Sequence, residues 1–228
     1  MSPGPATRAT SDKVRGVIFN VLAPVIAEAR VLDLYAGTGA LGVEALSRGA
    51  TSCLFVEQAR AACQVVEANL RATRLGGGRV WCLNVATALE KLERALNAET
   101  GGEQPGNVVK SGLSPGGDST FLPPYDVIML DPPYNDPEIA NLIRRIGRSG
   151  LVAWGGFVVL EHGKRTVPPP EPPGLQPHRS RLYGDTAVTI WRRLDANGGT
   201  LRADEPELGL AGRASTRPAG AELKDVEA

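Results

Sequence analysis

The chain has 228 residues, and its 25 basic and 25 acidic side chains give a formal net charge of zero at neutral pH. That balance argues against a large, strongly basic nucleic-acid footprint. Its hydrophobic fraction of 42% is that of an ordinary globular protein, and no run approaches the roughly 18 to 20 apolar residues of a membrane span. The N-terminus lacks the pattern of a signal peptide, and the three cysteines form no metal-binding motif. We expect a cytoplasmic, metal-free protein with one α/β core.

The first predicted element is an amphipathic helix over about residues 12–22, whose apolar residues recur at helical spacing. Thr10 or Ser11 is expected to cap its N-terminus. Pro24 is expected to end the helix or to bend it. Residues 1–29 are therefore interpreted as a leader and a helix that precede the main domain.

A short apolar strand over 30–35 leads into a glycine-rich turn and then a helix. The glycines at 37, 39 and 42 spell G-x-G-x-x-G, a pattern that brings a ligand close to the backbone N–H groups of a helix N-terminus. The next strand, over 52–57, ends in Glu57, whose carboxylate can accept hydrogen bonds from both hydroxyls of an adenosine ribose. These features fit NAD and S-adenosylmethionine equally well.

Asp33, at the end of the first strand, distinguishes these two cofactors. A negative charge there would repel the pyrophosphate of NAD, whereas it would attract the sulfonium and α-ammonium groups of S-adenosylmethionine. We therefore expect S-adenosylmethionine as the cofactor and S-adenosylhomocysteine as its product.

Asp131-Pro132-Pro133-Tyr134 follows a buried strand over 125–131, at the carboxyl end where open α/β sheets bind their ligands. Two prolines cannot continue a central strand, so a rigid turn is expected. The turn presents the Asp131 carboxylate and the Pro132 carbonyl as acceptors for an exocyclic amine, and Tyr134 as a stacking surface for its ring. This arrangement suits the amine of a nucleobase.

Strands and helices alternate along the rest of the chain, which predicts a mostly parallel sheet with right-handed crossovers. The further predicted strands are 79–84, 151–161 and 186–193, and the predicted helices after the first are 40–48, 58–73, 85–97 and 136–148. The last strand is expected to pair antiparallel with a short strand near 181–183. Residues 98–123 and 195–228 are predicted to be a flexible insertion and a disordered tail, because neither can bury enough apolar surface.

Two motifs resemble those of class I S-adenosylmethionine-dependent methyltransferases. The run 31–39 resembles their motif I, and 131–134 resembles motif IV of the subgroup that methylates exocyclic amines. Further runs at 10–15, 39–50 and 55–57 resemble the bacterial RsmD family, whose members are 16S ribosomal RNA guanine-N2 methyltransferases. The resemblance covers about residues 7 to 194.

The resemblance implies a Rossmann-like fold with a mostly parallel seven-stranded sheet, helices on both faces and an antiparallel last strand. The implied domain spans 30–194, and its expected substrate is 16S ribosomal RNA within a small-subunit assembly particle, bound by a monomer. An adenine-N6 methyltransferase acting on DNA or RNA is the main alternative, because it uses the same Asp-Pro-Pro-Tyr motif. A non-catalytic or NAD-binding Rossmann protein is a second alternative.

The site residues implied by the resemblance fall into three groups. The catalytic residues are Asp131, Pro132, Pro133 and Tyr134. The cofactor-binding residues are Asp33, Tyr35, Ala36, Gly37, Thr38, Gly39, Glu57 and Asn84. The substrate-binding residues are Thr10, Arg15 and Asn20. Asn84 stands where the family usually has an acid, and its side-chain oxygen is expected to accept from the adenine amine.

Overall fold

The computed structural model describes residues 5–100, 119–133 and 136–194, with side chains for 12–98, 120–133 and 136–194. Within those ranges no helix is long and apolar enough to cross a membrane. The His, Cys, Asp and Glu side chains of the same ranges form no group of three that could hold a metal ion.

Helices and strands alternate through the described ranges, as the sequence pattern predicts. The helices are α1 (Pro5–Ile26), α2 (Ala40–Ser47), α3 (Arg60–Thr73), α4 (Val85–Thr100) and α5 (Ile139–Ser149), with a short 3-10 helix at Ser119–Phe121. The strands are β1 (Arg30–Leu34), β2 (Ser52–Glu57), β3 (Gly78–Cys82), β4 (Tyr125–Leu130), β5 (Val152–Gly163), β6 (Gln176–Tyr183) and β7 (Thr186–Arg192).

The strands form one seven-stranded sheet in the order β3-β2-β1-β4-β5-β7-β6. Neighbouring strands from β3 to β5 pair in parallel, whereas β7 is antiparallel to both β5 and β6. The predicted fold class, a mostly parallel sheet with an antiparallel last strand, is confirmed. The chain leaves β1 in one direction to form β2 and β3, and returns on the other side as β4, so β1 and β4 flank the point where ligands bind in such sheets.

The sheet separates two apolar cores because successive side chains of a strand point to opposite faces. In β1, Val31 packs against α1, α2 and α3, whereas Leu32 packs against α4 and α5. The central strands are buried on both faces, which explains their near-continuous apolar sequences. Polar residues can enter these strands only at their ends, and the carboxyl ends carry the candidate site.

The N-terminal helix differs from its prediction. It begins at Pro5 instead of residue 12, so Thr10 and Ser11 lie inside the helix and cannot be its caps. Proline is favoured in the first helical turn, where its missing N–H has no intrahelical partner. The helix also continues past Pro24, because Leu22 and Ile26 on either side are buried in the core and hold the last turn in place.

The bounds predicted for the insertion, 98–123, are also wrong at both ends. Helix α4 extends to Thr100, and Phe121 is only 7% exposed within the core on the α4–α5 face. The Ser52 hydroxyl donates to the Thr120 carbonyl at 2.9 Å, and the Tyr125 hydroxyl donates to the Phe121 carbonyl at 2.7 Å. The segment just before β4 therefore belongs to the domain. Residues 101–118 and the predicted tail, 195–228, lie outside the described residues.

Candidate active site

A cavity of about 580 Å³ opens at the carboxyl ends of β1, β2 and β4. Small-molecule sites typically occupy roughly 300 to 1,000 Å³. Its wall is formed by residues at or after the ends of β1, β2, β3 and β4: Asp33, Tyr35, Ala36, Gly37, Thr38, Ala40, Leu41, Val56, Glu57, Gln58, Asn84, Val85, Ala86, Asp131, Pro133 and Asp136. The cavity thus joins the glycine-rich turn to the first part of the Asp-Pro-Pro-Tyr motif, two segments about 90 residues apart in the chain.

The glycine-rich turn between β1 and α2 is bent by residues in the left-handed backbone region. Tyr35 has a φ of 60°, an uncommon and strained value for a residue with a side chain, and Gly39 has a φ of 79°. A Cβ at Gly39 would also lie 3.0 Å from the Val66 side chain, so only glycine fits there. The Asn69 side-chain amide donates to the Thr38 carbonyl at 2.9 Å and fixes the turn to α3. Asn69 lies within α3, so the helix positions this turn.

Glu57 holds the same turn from the opposite side of the cavity. Its Oε2 accepts a hydrogen bond from the Gly37 N–H at 2.9 Å, and its Oε1 accepts one from the Ala59 N–H at 2.8 Å. Each carboxylate oxygen has two lone pairs, so both oxygens can still accept from a ligand hydroxyl. Glu57 is therefore fixed in orientation before any ligand binds.

Asp33 is 1% exposed, and its Oδ2 accepts a hydrogen bond from the Gly42 N–H at 2.9 Å. Burial raises the pKa of Asp33 to about 7; the Gly42 hydrogen bond opposes this shift, and the charges of Asp131 and Glu57 add to it. Gly42 packs closely at this point: a Cβ there would overlap the Phe55 ring and lie 2.6 Å from the Cys53 sulfur. The third glycine of the motif thus serves helix–strand packing and supplies the donor to Asp33.

Asp131 follows β4 and faces the cavity, while Pro132 is buried and Pro133 is exposed. The Asp131 carboxyl is reachable by solvent, yet the surrounding protein removes enough water to raise its pKa to about 6. Tyr134 lies outside the described residues, so its predicted stacking role stays a prediction.

Four acidic residues end four neighbouring strands on one face of the sheet. Asp33, Glu57, Asp131 and Glu161 continue the alternation of Val31, Phe55, Met129 and Val159, all of which lie in the core that faces α1, α2 and α3. No lysine or arginine with a described side chain forms an ion pair with any of the four. A ligand with positive charge is therefore favoured along this edge.

Glu161 was missed by the sequence reasoning. It is half-buried at the carboxyl end of β5, and burial raises its pKa to about 7, with a further contribution from the charge of Asp131. The signal was an acid at the end of an apolar strand, the same signal that identified Asp33 and Glu57.

Asn84 lies on the far wall of the cavity and is exposed. Its Oδ1 accepts a hydrogen bond from the Thr87 N–H at 2.8 Å, so the residue caps the N-terminus of α4. The cap occupies one lone pair of the oxygen that was expected to accept from adenine. The Asn84 amide NH2 is a donor that could instead meet an adenine ring nitrogen.

Two of the residues predicted to bind substrate, Arg15 and Asn20, lie apart from the cavity. Arg15 forms ion pairs with Asp12 at 3.0 Å and with Glu44 at 3.7 Å. Asn20 is exposed on α1, and neither residue lines the cavity. Thr10 lies in the part of α1 whose side chains are not described. The structure thus does not bring this predicted group together with the catalytic one.

Two cysteines lie next to the Glu57 end of the site. The Cys63 and Cys82 sulfurs are 2.7 Å apart, and the Cys63 thiol also lies 3.3 Å from the Glu57 carbonyl oxygen. Cys53 and Cys63 are buried, whereas Cys82 is exposed, because β3 is the edge strand and Cys82 is its last residue. Burial raises the pKa of Cys63 to about 12, with a further contribution from Cys82.

The comparisons with known proteins agree with this geometry. The family model described as "Conserved hypothetical protein 95" matches residues 1–109 and 118–192. "Putative rRNA methyltransferase YlbH" of Bacillus subtilis is 34% identical over 83% of this chain and 90% of its own length. "Ribosomal RNA small subunit methyltransferase D" of Escherichia coli is 30% identical over 83% of this chain and 81% of its own length. The solved structure of "Putative methyltransferase yhhF" from Escherichia coli aligns with a TM-score of 0.60 at 30% identity, covering 80% of this chain and 85% of that one.

Proposed function

Because this chain belongs to the Conserved hypothetical protein 95 family, which is the RsmD family, we propose that it transfers a methyl group from S-adenosylmethionine to the N2 amine of a guanine in 16S ribosomal RNA. Ribosomal RNA methylation follows from the relatives. The choice of guanine N2 is the finer part of the proposal. The observation that carries it is the single cavity in which Asp131 faces the glycine-rich turn and Glu57.

The residues of the cavity fit S-adenosylmethionine. The sulfonium and α-ammonium groups of this cofactor are cationic, and the buried Asp33 supplies negative charge without a described protein counterion. Glu57 is oriented to accept from the ribose hydroxyls, and Gly37, Thr38 and Gly39 bring backbone close to the methionine part. When bound, the cofactor supplies an electrophilic methyl group.

The protein needs no covalent intermediate for this reaction, so its role is to position the base and to complement charge. The Asp131 carboxylate and the Pro132 carbonyl accept the two N–H bonds of N2 and orient its lone pair toward the methyl group. A bound cofactor would supply the methyl group to this lone pair, and the electron pair of the broken C–S bond would stay on its sulfur. The surplus N2 proton then passes to the Asp131 carboxylate.

The target base must leave its helix or loop to reach the site. In this proposal Tyr134 stacks on the extruded base, and Thr10, Arg15 and Asn20 contact the RNA around it. Arg15 and Asn20 lie outside the cavity, so they bind flanking nucleotides and not the base. The acceptor RNA is held within a small-subunit particle by a monomeric enzyme.

Product analysis tests the proposal directly. Purified protein and labelled S-adenosylmethionine are incubated with small-subunit particles from a strain that lacks the corresponding gene, and the 16S RNA is digested to nucleosides. Mass spectrometry is expected to find N2-methylguanosine at one position. N6-methyladenosine in its place would overturn the choice of base and favour the adenine alternative.

Cofactor class is tested separately by thermal unfolding, since a ligand that binds only the folded state raises the midpoint. S-adenosylhomocysteine is expected to raise the midpoint and NADH to leave it unchanged. The reverse result would contradict the assignment of Asp33 and Glu57 to S-adenosylmethionine.

A further inference from the structure

Glu161 lies beside Asp131 in the sheet. Strands β4 and β5 pair in parallel with Leu130 opposite Leu160, and the next residue of each strand is Asp131 and Glu161. Neighbouring strands are about 4.8 Å apart. Both side chains point to the face that carries α1, because Met129 and Val159, two residues earlier, lie in the core on that face. Asp33 and Glu57 lie on the other side of Asp131, toward the cofactor end.

The position of Glu161 has a cost for the folded protein. The carboxyl is half-buried, and both burial and the nearby charge of Asp131 raise its pKa to about 7. Among the residues whose side chains are described, none forms an ion pair or a hydrogen bond with it that would offset this cost. Residues that cost stability next to a reaction centre are often kept for function.

A guanine placed for N2 transfer has a matching group at this position. Its Watson–Crick edge carries the N1–H next to the N2 amine, and a carboxylate accepts such a donor. We propose that the Glu161 carboxylate accepts the N1–H of the guanine whose N2 amine is held by Asp131, and thereby selects guanine as the substrate. This inference rests on the proposed function.

Adenine would meet this carboxylate differently. Its N1 is an acceptor beside the N6 amine, so above about pH 7, where Glu161 is ionised, the carboxylate would face a lone pair and repel it. The hydrogen bond to guanine N1 also shifts electron density onto the ring that carries N2, which makes the amine a better nucleophile. Glu161 thus acts on both recognition and rate, whereas Asp131 acts on the amine itself.

The test uses Glu161→Gln and a base analogue. First, the guanine methylated by the parent is mapped, and 16S RNA is assembled by ligation with guanine, 2-aminopurine or adenine at that position. 2-Aminopurine keeps the 2-amine but has an acceptor at N1 in place of the N–H. Values of kcat/KM for 2-amine methylation are then compared for the parent and E161Q on reconstituted particles.

The parent is expected to prefer guanine over 2-aminopurine by on the order of 100-fold or more, because a site built for a donor rejects an analogue that lacks it. E161Q is expected to reduce that preference at least about tenfold, since its amide can donate to the N1 of 2-aminopurine. 2-Aminopurine also lacks the O6 atom of guanine, so contacts to O6 contribute to the preference for guanine in both enzymes. Dividing the preference of the parent by that of E161Q cancels this contribution and leaves the effect of residue 161. An E161Q effect of equal size on both bases, or no effect, would overturn the inference.

Two further outcomes separate this inference from the proposed function. If the parent methylates the adenine substrate at N6 and leaves both 2-amines unmodified, the proposed function itself fails. If it methylates guanine N2 but E161Q keeps the full preference for guanine, only the role of Glu161 fails. Glu67→Gln, which removes an exposed carboxylate on α3, is the matched control and should leave both rates unchanged.

Discussion

Asp33 on β1 and Asp131 after β4 face one cavity, and the charge of Asp131 adds to burial in raising the pKa of Asp33. The two carboxylates belong to different parts of the proposed reaction, one to the cofactor and one to the base. Their proximity means that the unliganded site stores unfavourable electrostatic energy, which a cationic ligand relieves.

The first prediction concerns stability and pH. The pKa of Asp33 is about 7 in the folded protein and about 3.8 in the unfolded chain, so the folded state binds the proton more tightly between these values. The stability that this proton provides is fully present below about pH 4 and is lost as the pH rises through about 7. Asp33→Asn keeps an acceptor for the Gly42 N–H and removes the charge. The variant should therefore gain thermal stability over the parent at about pH 8 but not at about pH 4.

Equal midpoints for Asp33→Asn and the parent at both pH values would contradict this account. In the same variant, calorimetric titration should show weaker binding of S-adenosylmethionine, since the attraction to its cationic groups is lost. A gain in stability with a loss of affinity is the combined signature of this buried charge.

The second prediction concerns Asp131. Asp131→Ala should abolish methyl transfer and leave the affinity for S-adenosylmethionine nearly unchanged, because the partner of this carboxylate is the base amine. In the parent, kcat should rise with pH through about 6, where Asp131 ionises. Asp185→Asn, an exposed change in the β6–β7 turn, serves as the control. A large loss of cofactor affinity in Asp131→Ala would show that the Asp131 carboxylate binds the cofactor and not the base.

The third prediction concerns Glu57. Glu57→Ala removes the acceptor of the Gly37 and Ala59 N–H groups as well as the proposed ribose contact, so cofactor affinity should fall first. Loss of a hydrogen bond to a charged group costs about 1.5 to 3 kcal/mol, which corresponds to a rise in Kd of about ten- to a hundredfold. Glu67→Ala on the exposed side of α3 should leave Kd unchanged. A fall in kcat at saturating cofactor with an unaltered Kd would show that Glu57 contributes to the transfer step and not to cofactor binding.

The fourth prediction concerns the segment between α4 and β4. Phe121 is buried against Tyr125 and under the Arg79 guanidinium, whose carbon lies 4.4 Å from the centre of the ring. Phe121→Ala should lower the free energy of unfolding by roughly 3 to 5 kcal/mol, as measured by urea denaturation.

Deletion of residues 101–118, whose composition predicts no packed core, should leave stability and activity near those of the parent. The same holds for deletion of 195–228.

The fifth prediction concerns RNA engagement. Two basic residues are engaged within the protein: Arg15 pairs with two acids, and Arg145 donates two hydrogen bonds to Glu93 at 2.9 and 2.7 Å. Because the formal net charge is zero, binding to protein-free 16S RNA should be weak and should fall steeply with salt. Initial rates at near-physiological salt should be higher on small-subunit particles. Equal or faster methylation of the protein-free RNA would contradict the assembly-particle substrate.

Much of the fold could be predicted because each central strand is a short apolar run that ends in a polar or glycine-rich turn. Strand β2 matches its predicted bounds, and β1 and β4 each end one residue before the predicted end. The carboxyl ends of parallel strands meet at one edge, so the sequence order alone placed Asp33, Glu57 and Asp131 together. The docking of Phe121 could not be predicted, because it depends on burial against segments distant in the chain.

The missed role of Glu161 has a different cause. Its neighbour Asp131 was recognised within a four-residue motif, whereas Glu161 lies near the end of β5 outside any motif, and only the pairing of β4 with β5 shows that it lies beside Asp131. Conversely, Arg15 and Asn20 were grouped with the site by resemblance alone, and the described structure places them on α1 outside the cavity.

The packing at Gly42 has a consequence for modified cofactors. Behind this residue, Phe55 and Cys53 leave no space even for a methyl group, so α2 cannot move toward β2 to make room beside the proposed methionine site. The opposite wall, formed by Gln58, Asn84 and Ala86, is exposed. Synthetic cofactors with bulky groups on the adenine should therefore be accepted, and shortening Asn84 would widen that entrance. Such an enzyme could place chemical labels on its own RNA target while other methyltransferases in the same extract reject the reagent.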